Sequence, residues 1–112
     1  MIQSIVRMVM PRQKRREALE ILRSTAERVS VEPGCLSCRV YQDTRETDVI
    51  MFEERWRSKE DLDQHLRSDD YRNVLLVADM AVEAPEIRFE EIESSRGIEI
   101  IEEARKAWRN RR

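Results

Sequence analysis

The sequence is short of the residues that most simply mark metal, redox and membrane proteins. Its 112 residues include one histidine, two cysteines, and two residues each of tryptophan, tyrosine and phenylalanine. Glycine occurs twice and proline three times, and no repeat or low-complexity segment is present. No segment reaches the roughly 18 consecutive apolar residues of a membrane-spanning helix. The chain is therefore interpreted as one domain that does not span a membrane.

Charge, by contrast, is abundant and balanced. Charged residues make up 39% of the chain and hydrophobic residues 40%, and the formal net charge is -2. A nearly neutral chain has no global attraction to nucleic acid or to a membrane surface, so neither is expected as a partner. The N-terminal apolar run is too short for a secretory signal peptide, and its basic residues follow it instead of preceding it. A cytoplasmic protein is the default expectation.

The two cysteines, Cys35 and Cys38, form a Cys-x-x-Cys pattern that elsewhere marks redox or zinc sites. A redox motif needs its first cysteine at a helix N-terminus, whereas this pattern opens a predicted strand. Residues three apart in a regular strand point to opposite faces, so the two sulfur atoms should not meet. No second ligand pair for zinc is present. Both cysteines are interpreted as structural.

The spacing of apolar residues predicts the order β-α-β-β-α-β followed by a terminal helix. Strands are predicted at residues 2–10, 35–42, 48–57 and 87–92, and helices at residues 12–31, 58–82 and 98–109. Ser58 begins a Ser-x-x-Asp capping pattern, and Ser68 is expected to cap a second helical piece. On the terminal helix, Ile98, Ile101 and Trp108 share one stripe.

This order predicts an α+β protein with the ferredoxin-like βαββαβ fold. Right-handed crossovers place the first and third strands at the centre and both main helices on one face of the sheet. Apolar residues occur at both strand parities, so the other face is expected to be apolar and to be covered by a second copy in a two-fold dimer. The domain is predicted to span residues 1–95, with residues 96–112 as a helical extension.

The scarce aromatic residues gather in one short segment that also holds the only histidine. Trp56 ends the third strand, His65 lies in the following helix, and Tyr71 begins the next helical piece. Period-two alternation places Glu54 on the same strand face as Trp56. A buried carboxylate is costly unless it is paired, so Glu54 is a candidate functional residue.

Three motifs together carry a resemblance to a known family. Pro33-Gly34-Cys35 enters the second strand, Glu54-Arg55-Trp56 ends the third, and His65-Leu66-Arg67-Ser68 lies in the next helix. Over roughly residues 2–93 the chain resembles the antibiotic biosynthesis monooxygenase family, which includes quinol monooxygenases. The resemblance implies a dimeric α+β barrel, and an enzyme that oxygenates anionic aromatic substrates with no metal, flavin or heme cofactor.

The resemblance, joined to residue chemistry, gives each candidate residue a role. His65 would be the base, because an ordinary histidine pKa of about 6.5 suits proton transfer near neutral pH. Glu54 would accept a hydrogen bond or orient His65. Trp56 and Tyr71 would contact the substrate ring and donate hydrogen bonds, and Phe52, on the same strand face as Trp56, is assigned to substrate binding with them.

Each of these residues also has a plain structural interpretation. Trp56 and Tyr71 can fill the core, His65 can be a satisfied core histidine, and Glu54 can pair with an arginine. Two other functions therefore stay open: a non-catalytic dimeric binding or regulatory module, and an isomerase acting on a small carbonyl metabolite. A cavity reached by His65 and Glu54 favours an enzyme, and a solid core favours the module. The terminal helix is expected to pack across the dimer or over the mouth of the pocket.

Overall fold

The computed structural model describes residues 1–110, with side chains as far as Lys106. Trp108, which the sequence analysis places on the stripe of the last helix, lies outside the described side chains. The strands are β1 (Ile2–Val9), β2 (Cys35–Gln42), β3 (Val49–Trp56) and β4 (Glu86–Glu91), and the helices are α1 (Arg15–Val29), α2 (Lys59–Leu66), α3 (Asp69–Ala78) and α4 (Ile98–Asn110). The predicted order is confirmed, with α2 and α3 forming the second helical segment.

The four strands form one open antiparallel sheet in the order β2-β3-β1-β4. The first and third strands lie at the centre, so the ferredoxin-like prediction is confirmed. In the central pair, Ser4 lies opposite Glu54 and Ile2 lies opposite Trp56. Helix α1 packs against α3 and β2, and α2 packs against β3.

Two serines start the helices that carry the candidate residues. The Ser58 hydroxyl accepts a hydrogen bond from the Asp61 backbone N–H at 3.2 Å, and Ser68 does the same for Tyr71 at 3.2 Å. Each cap satisfies a backbone donor that has no partner within its helix. Both predicted caps are confirmed, and they fix where α2 and α3 begin.

The helix-facing side of the sheet carries two groups of buried residues. The larger group, which we call the apolar half, lies between β1, β3, α1 and α3 and includes Met8, Leu22, Ile50, Phe52 and Val74. The smaller group surrounds Trp56 at the other end of the same two strands; its other members are Ile2, Val29 and Leu62. The candidate site lies at this second end.

A β-bulge overturns the expectation that Cys35 and Cys38 face opposite sides. The pairing of β2 with β3 shifts at Leu36, so Cys35 lies opposite Trp56 and Cys38 lies opposite Glu54. Because Trp56 and Glu54 share the helix-facing side, both cysteines share it too. Burial and the nearby carboxylates raise the pKa of Cys35 to about 11 and that of Cys38 further. Both thiols are free and stay protonated near neutral pH.

The sheet face away from the helices is more polar than the sequence analysis expects. Its apolar residues, among them Ile5, Val49 and Met51, are interspersed with charged ones. The charged side chains on this face are Arg7, Arg39, Glu53, Arg55, Glu86, Arg88 and Glu90. Ion pairs of 3.7 Å join Arg55 to Glu53 and of 3.2 Å join Arg88 to Glu86. This face of the sheet therefore carries a mixture of apolar and charged side chains, because alternation along the strands places both kinds on it.

The C-terminal part of the chain is exposed. All residues of β4 are exposed, and α4 packs extensively against none of the other described elements. The α4 residues Ile98, Ile100 and Ile101 are 68%, 45% and 59% exposed. Within the described residues, no helix combines the length and the apolar character that a bilayer crossing requires.

Candidate active site

Three of the residues singled out in the sequence form an aromatic stack. The Trp56 and His65 rings are stacked with centroids 4.5 Å apart, and Tyr71 meets His65 edge-on at 5.3 Å. The side chains are supplied by β3, α2 and α3 in turn. Trp56 is 0% exposed, His65 1% and Tyr71 6%, so the stack is part of the interior.

His65 is held between two carboxylates. Its Nδ1 lies 2.9 Å from Oε2 of Glu32, and its Nε2 is in ion-pair contact with Oε2 of Glu54. The Glu54 contact is not aligned as a regular hydrogen bond. Glu54 is fully buried, whereas the Glu32 side chain is 23% exposed. Glu54 thus pairs with the histidine, and not with an arginine.

Glu32 reaches His65 from the turn that joins α1 to β2. Gly34 in this turn has a φ of 80°, in the left-handed region that glycine favours. A Cβ atom at Gly34 would overlap the Asp61 side chain at the start of α2. The Arg57 backbone N–H donates to the Gly34 carbonyl at 2.9 Å. The turn is therefore held against the helix that carries His65, which places Glu32 opposite the imidazole.

The two carboxylate contacts favour an extra proton on the trio Glu32–His65–Glu54. A neutral imidazole has one N–H and one acceptor nitrogen. If His65 were neutral, one ring lone pair would face a carboxylate oxygen, which is repulsive. An imidazolium donates on both sides, and a protonated carboxyl group can replace one of those donors. The arrangement therefore favours a bound proton shared within the trio.

Burial and charge act in opposite directions on this histidine. Burial lowers the pKa of His65, but the Glu54 and Glu32 carboxylates outweigh it, and the pKa lies above its ordinary value. Burial also raises the pKa of Glu32, with His65 opposing the rise. The pKa of Tyr71 is raised by burial and by the charge of Glu54. The raised pKa of His65 favours the imidazolium form, which carries an N–H at each ring nitrogen.

Buried polar atoms without hydrogen-bond partners gather beside this trio. Among the described residues they include Ser4 Oγ, Glu54 Oε1 and Trp56 Nε1. Ser4 lies opposite Glu54 in the register, and Trp56 is two residues further along β3 on the same face. An unpaired buried polar group costs about 1–3 kcal/mol. One hydroxyl, one carboxylate oxygen and one indole N–H thus lie buried at neighbouring positions without a hydrogen-bond partner among the described residues.

Two surface grooves adjoin the cluster but do not open onto it. One, of about 250 Å³, lies between α2 and β4 and is lined by Ile2, Leu62, Leu66 and Phe89, among others. The other, of about 500 Å³, lies along α1 and β2 and includes Cys38. Ile2 and Leu62 also pack in the Trp56 group. These two side chains therefore separate the α2–β4 groove from the stack.

The structure brings together Glu54, Trp56, His65 and Tyr71, as the sequence analysis expects. Phe52 instead lies in the apolar half, where it is 0% exposed.

Glu32 and Ser4 were not among the residues predicted from the sequence. The signal that could have found them is the antiparallel pairing of the strands. The pairing of β2 with β3 puts the residues before Cys35 beside the end of β3, and the pairing of β1 with β3 puts Ser4 opposite Glu54. Within the described residues, no group of three His, Cys, Asp or Glu side chains is arranged to hold a metal ion.

The fold and site define an α+β protein of the ferredoxin-like class with a buried histidine–carboxylate cluster. The model of the antibiotic biosynthesis monooxygenase family matches residues 1–75. The chain belongs to this family. No protein of curated function matches the sequence.

Solved structures support the same fold. A conserved protein from Methanosarcina mazei is 25% identical, with 82% of this chain and 92% of that chain covered and a TM-score of 0.75. An antibiotic biosynthesis monooxygenase is 20% identical over 84% of this chain and 100% of its own, with a TM-score of 0.74. The protein Rv0793 from Mycobacterium tuberculosis is 24% identical over 86% and 98%, with a TM-score of 0.71. At these identities the last two show the fold alone.

Proposed function

We propose that the protein is a cofactor-independent monooxygenase that oxidises a small aromatic substrate, a quinol or a polyketide-like phenol, with O2. Family membership supports the reaction class. The observation that carries the proposal is the buried Glu54, which contacts His65 through one oxygen and leaves the other without a partner among the described residues. A carboxylate of this kind is suited to accept the proton of a phenolic hydroxyl.

The proposed reaction starts with loss of that phenolic proton to the Glu54–His65 pair. The substrate anion then transfers one electron to O2, and the two radicals combine at a ring carbon. Loss of water gives the quinone: one oxygen atom stays in the product, and the other leaves with two hydrogens of the substrate. The apolar walls exclude bulk water from the anion, and the Trp56 N–H and the Ser4 hydroxyl orient it.

The α2–β4 groove is the proposed place of entry. It is lined by apolar side chains, and it is separated from the stack by Ile2 and Leu62. A ring seated in this groove reaches Glu54 once these two side chains change rotamer. Enlarging the wall with Leu62→Trp should block entry and raise KM, whereas Leu76→Trp, at an exposed site on α3, should leave KM unchanged.

Oxygen uptake with a panel of hydroquinones tests the proposal. We expect uptake above autoxidation for the wild-type protein, a loss of at least tenfold for Glu54→Gln and His65→Gln, and no loss for Glu60→Gln. Glu60 is the matched control because it is an exposed glutamate on α2, the helix that carries His65. Uptake that is unchanged in Glu54→Gln contradicts the assignment. Conversion of a carbonyl substrate without oxygen uptake would indicate an isomerase.

The burial of the site supports one alternative, a non-catalytic binding or regulatory module. Glu54, Trp56 and His65 fill the space between the sheet and α2, as the solid-core interpretation expects. The NMR resonance of the Trp56 indole N–H distinguishes the two functions. A ligand that enters the site perturbs its N–H resonance, and a module that binds partners through its surface leaves that resonance unchanged. Absence of both oxygen uptake and this perturbation across the panel would favour the module.

We also propose that the protein acts as a cytoplasmic homodimer, joined through the open sheet face, with residues 96–112 as an extension that supports it. Exposed isoleucines on α4 give this helix an apolar surface against which none of the other described elements packs extensively. Truncation after Ser95 should weaken the dimer in sedimentation equilibrium, or increase ligand access, without changing the fold of residues 1–95. If both properties stay at wild-type values, the extension has neither role.

A further inference from the structure

Among the described residues, Glu32 gives the buried trio its contact with solvent. The side chains of His65 and Glu54 are both 0% exposed, whereas that of Glu32 is 23% exposed. Glu32 is 2.9 Å from Nδ1 of His65, and Glu54 contacts the opposite ring nitrogen. The three groups thus form a line from the surface to the interior. An imidazole can relay a proton along such a line, accepting at one nitrogen and releasing from the other.

We propose that Glu32 is the port through which the buried His65–Glu54 pair exchanges protons with solvent. In the reaction it is a positioning residue: it orients the imidazole through Nδ1 and removes the proton that Glu54 takes from the substrate. That role in catalysis rests on the proposed function. The exchange of protons itself does not, because it follows from the contacts and the burial of the trio.

The titratable groups around the trio are either protonated thiol and phenol groups or carboxylates paired with an arginine. Cys35 and Cys38 of β2 and Tyr71 of α3 have raised pKa values and stay protonated. Asp70 of α3 is paired with Arg28 of α1 at 2.8 Å. On the α2 side, Asp61 contacts Arg57 at 3.0 Å. These contacts account for the charged groups that face the trio from each neighbouring element.

The single histidine of the chain makes the proposal directly measurable. Its ring nitrogens give the only imidazole signals in a 15N–1H spectrum, so the midpoint of titration and the exchange of ring N–H protons with water belong to His65. We expect Glu32→Gln to move the midpoint to lower pH, because a facing carboxylate favours the imidazolium. We also expect ring-proton exchange to slow several-fold, because the amide cannot take up the proton.

Two further variants separate this role from a merely structural one. Glu32→Asp keeps a carboxylate and should restore both readouts toward the wild-type values. Glu27→Gln removes an exposed charge from α1 and should leave both unchanged. Backbone amide spectra establish that each variant is folded. An unaltered midpoint in Glu32→Gln, exchange that is unchanged or faster, or failure of Glu32→Asp to restore them, would overturn the proposal.

The outcomes also separate this proposal from the proposed function. If no hydroquinone is oxidised but both NMR readouts shift, the port exists and the oxygenase assignment fails. If oxygen uptake is present while Glu32→Gln leaves the midpoint, the exchange rate and the pH profile of kcat/KM unchanged, the enzyme stands and the port does not.

Discussion

The two ends of the helix-facing side of the sheet are built from the same strands but bury different kinds of residue. At one end, β1 and β3 contribute Met8, Ile50 and Phe52 to an apolar core. At the other end the same alternation contributes Ser4 and Glu54, which carry buried polar atoms without partners. Close packing of apolar groups stabilises a fold, whereas buried ionisable groups oppose it unless they are paired. The contrast indicates that stability is concentrated at the first end, whereas the second end is the candidate site.

The largest expected effect comes from breaking the apolar half. Phe52→Ala should lower the free energy of unfolding by about 3–5 kcal/mol, because it removes a buried ring and leaves a cavity. The chain offers a matched control in Phe89→Ala, since Phe89 is 46% exposed. Urea denaturation measures both. If Phe52→Ala proves too unstable to study, Phe52→Leu should show a smaller loss. Equal effects at Phe52 and Phe89 would contradict the placement of the core.

Replacing the buried Glu54–His65 ion pair should show what the second end of the sheet contributes to stability. Glu54→Gln or His65→Gln alone should destabilise the protein by about 3 kcal/mol, since one buried charge loses its partner. The double variant Glu54→Leu/His65→Leu should recover most or all of that stability, because apolar groups often replace a buried pair at no net cost. It should have no oxygen uptake. A double variant less stable than either single variant would show that the pair is structural.

The stability of the folded protein should depend on pH, because the pKa of His65 is raised. The folded protein holds this proton more tightly than the unfolded chain, so the stabilisation is complete below the unfolded pKa of about 6.5. It is lost as the pH rises through the folded value. Urea midpoints should therefore fall as the pH rises above about 6.5. His65→Gln should flatten this dependence, and a wild-type midpoint that rises with pH would contradict the sign.

The smallest expected effect concerns Ser4. Ser4→Ala removes a buried hydroxyl without a partner in the described residues, so the unfolding free energy should rise by about 1 kcal/mol. If the hydroxyl serves a ligand, KM should rise in the same variant. Calorimetry measures the change in stability, and steady-state kinetics measures the change in KM. A loss of stability would indicate that the hydroxyl has a partner in solution.

The sequence was sufficient for features that depend on local periodicity. Alternation along β3 predicted that Glu54 and Trp56 share a face, and the Ser58 and Ser68 caps located α2 and α3. These features need only neighbouring residues, so pattern analysis finds them.

The role of Glu32 depends on the contact between the α1–β2 turn and α2, and sequence alone did not predict it. A glycine in a left-handed turn and the close approach of Asp61 bring Glu32 to His65. The shared face of Cys35 and Cys38 depends on one bulged residue, Leu36, which inverts the alternation of the strand. Phe52 shows the reverse case: the strand face was predicted correctly, but the position along that face decides between core and site.

In the proposed homodimer, the charged residues on the open sheet face would affect the specificity of docking. Arg55 and Glu53 on β3, and Arg88 and Glu86 on β4, alternate in sign along their strands. When two such faces meet about a two-fold axis, a slip of two residues sets like charges against each other. Charge would then encode the docking register and discourage mixed assemblies with other proteins of the same fold. High ionic strength should weaken this charge-based preference for one docking register before it separates the subunits.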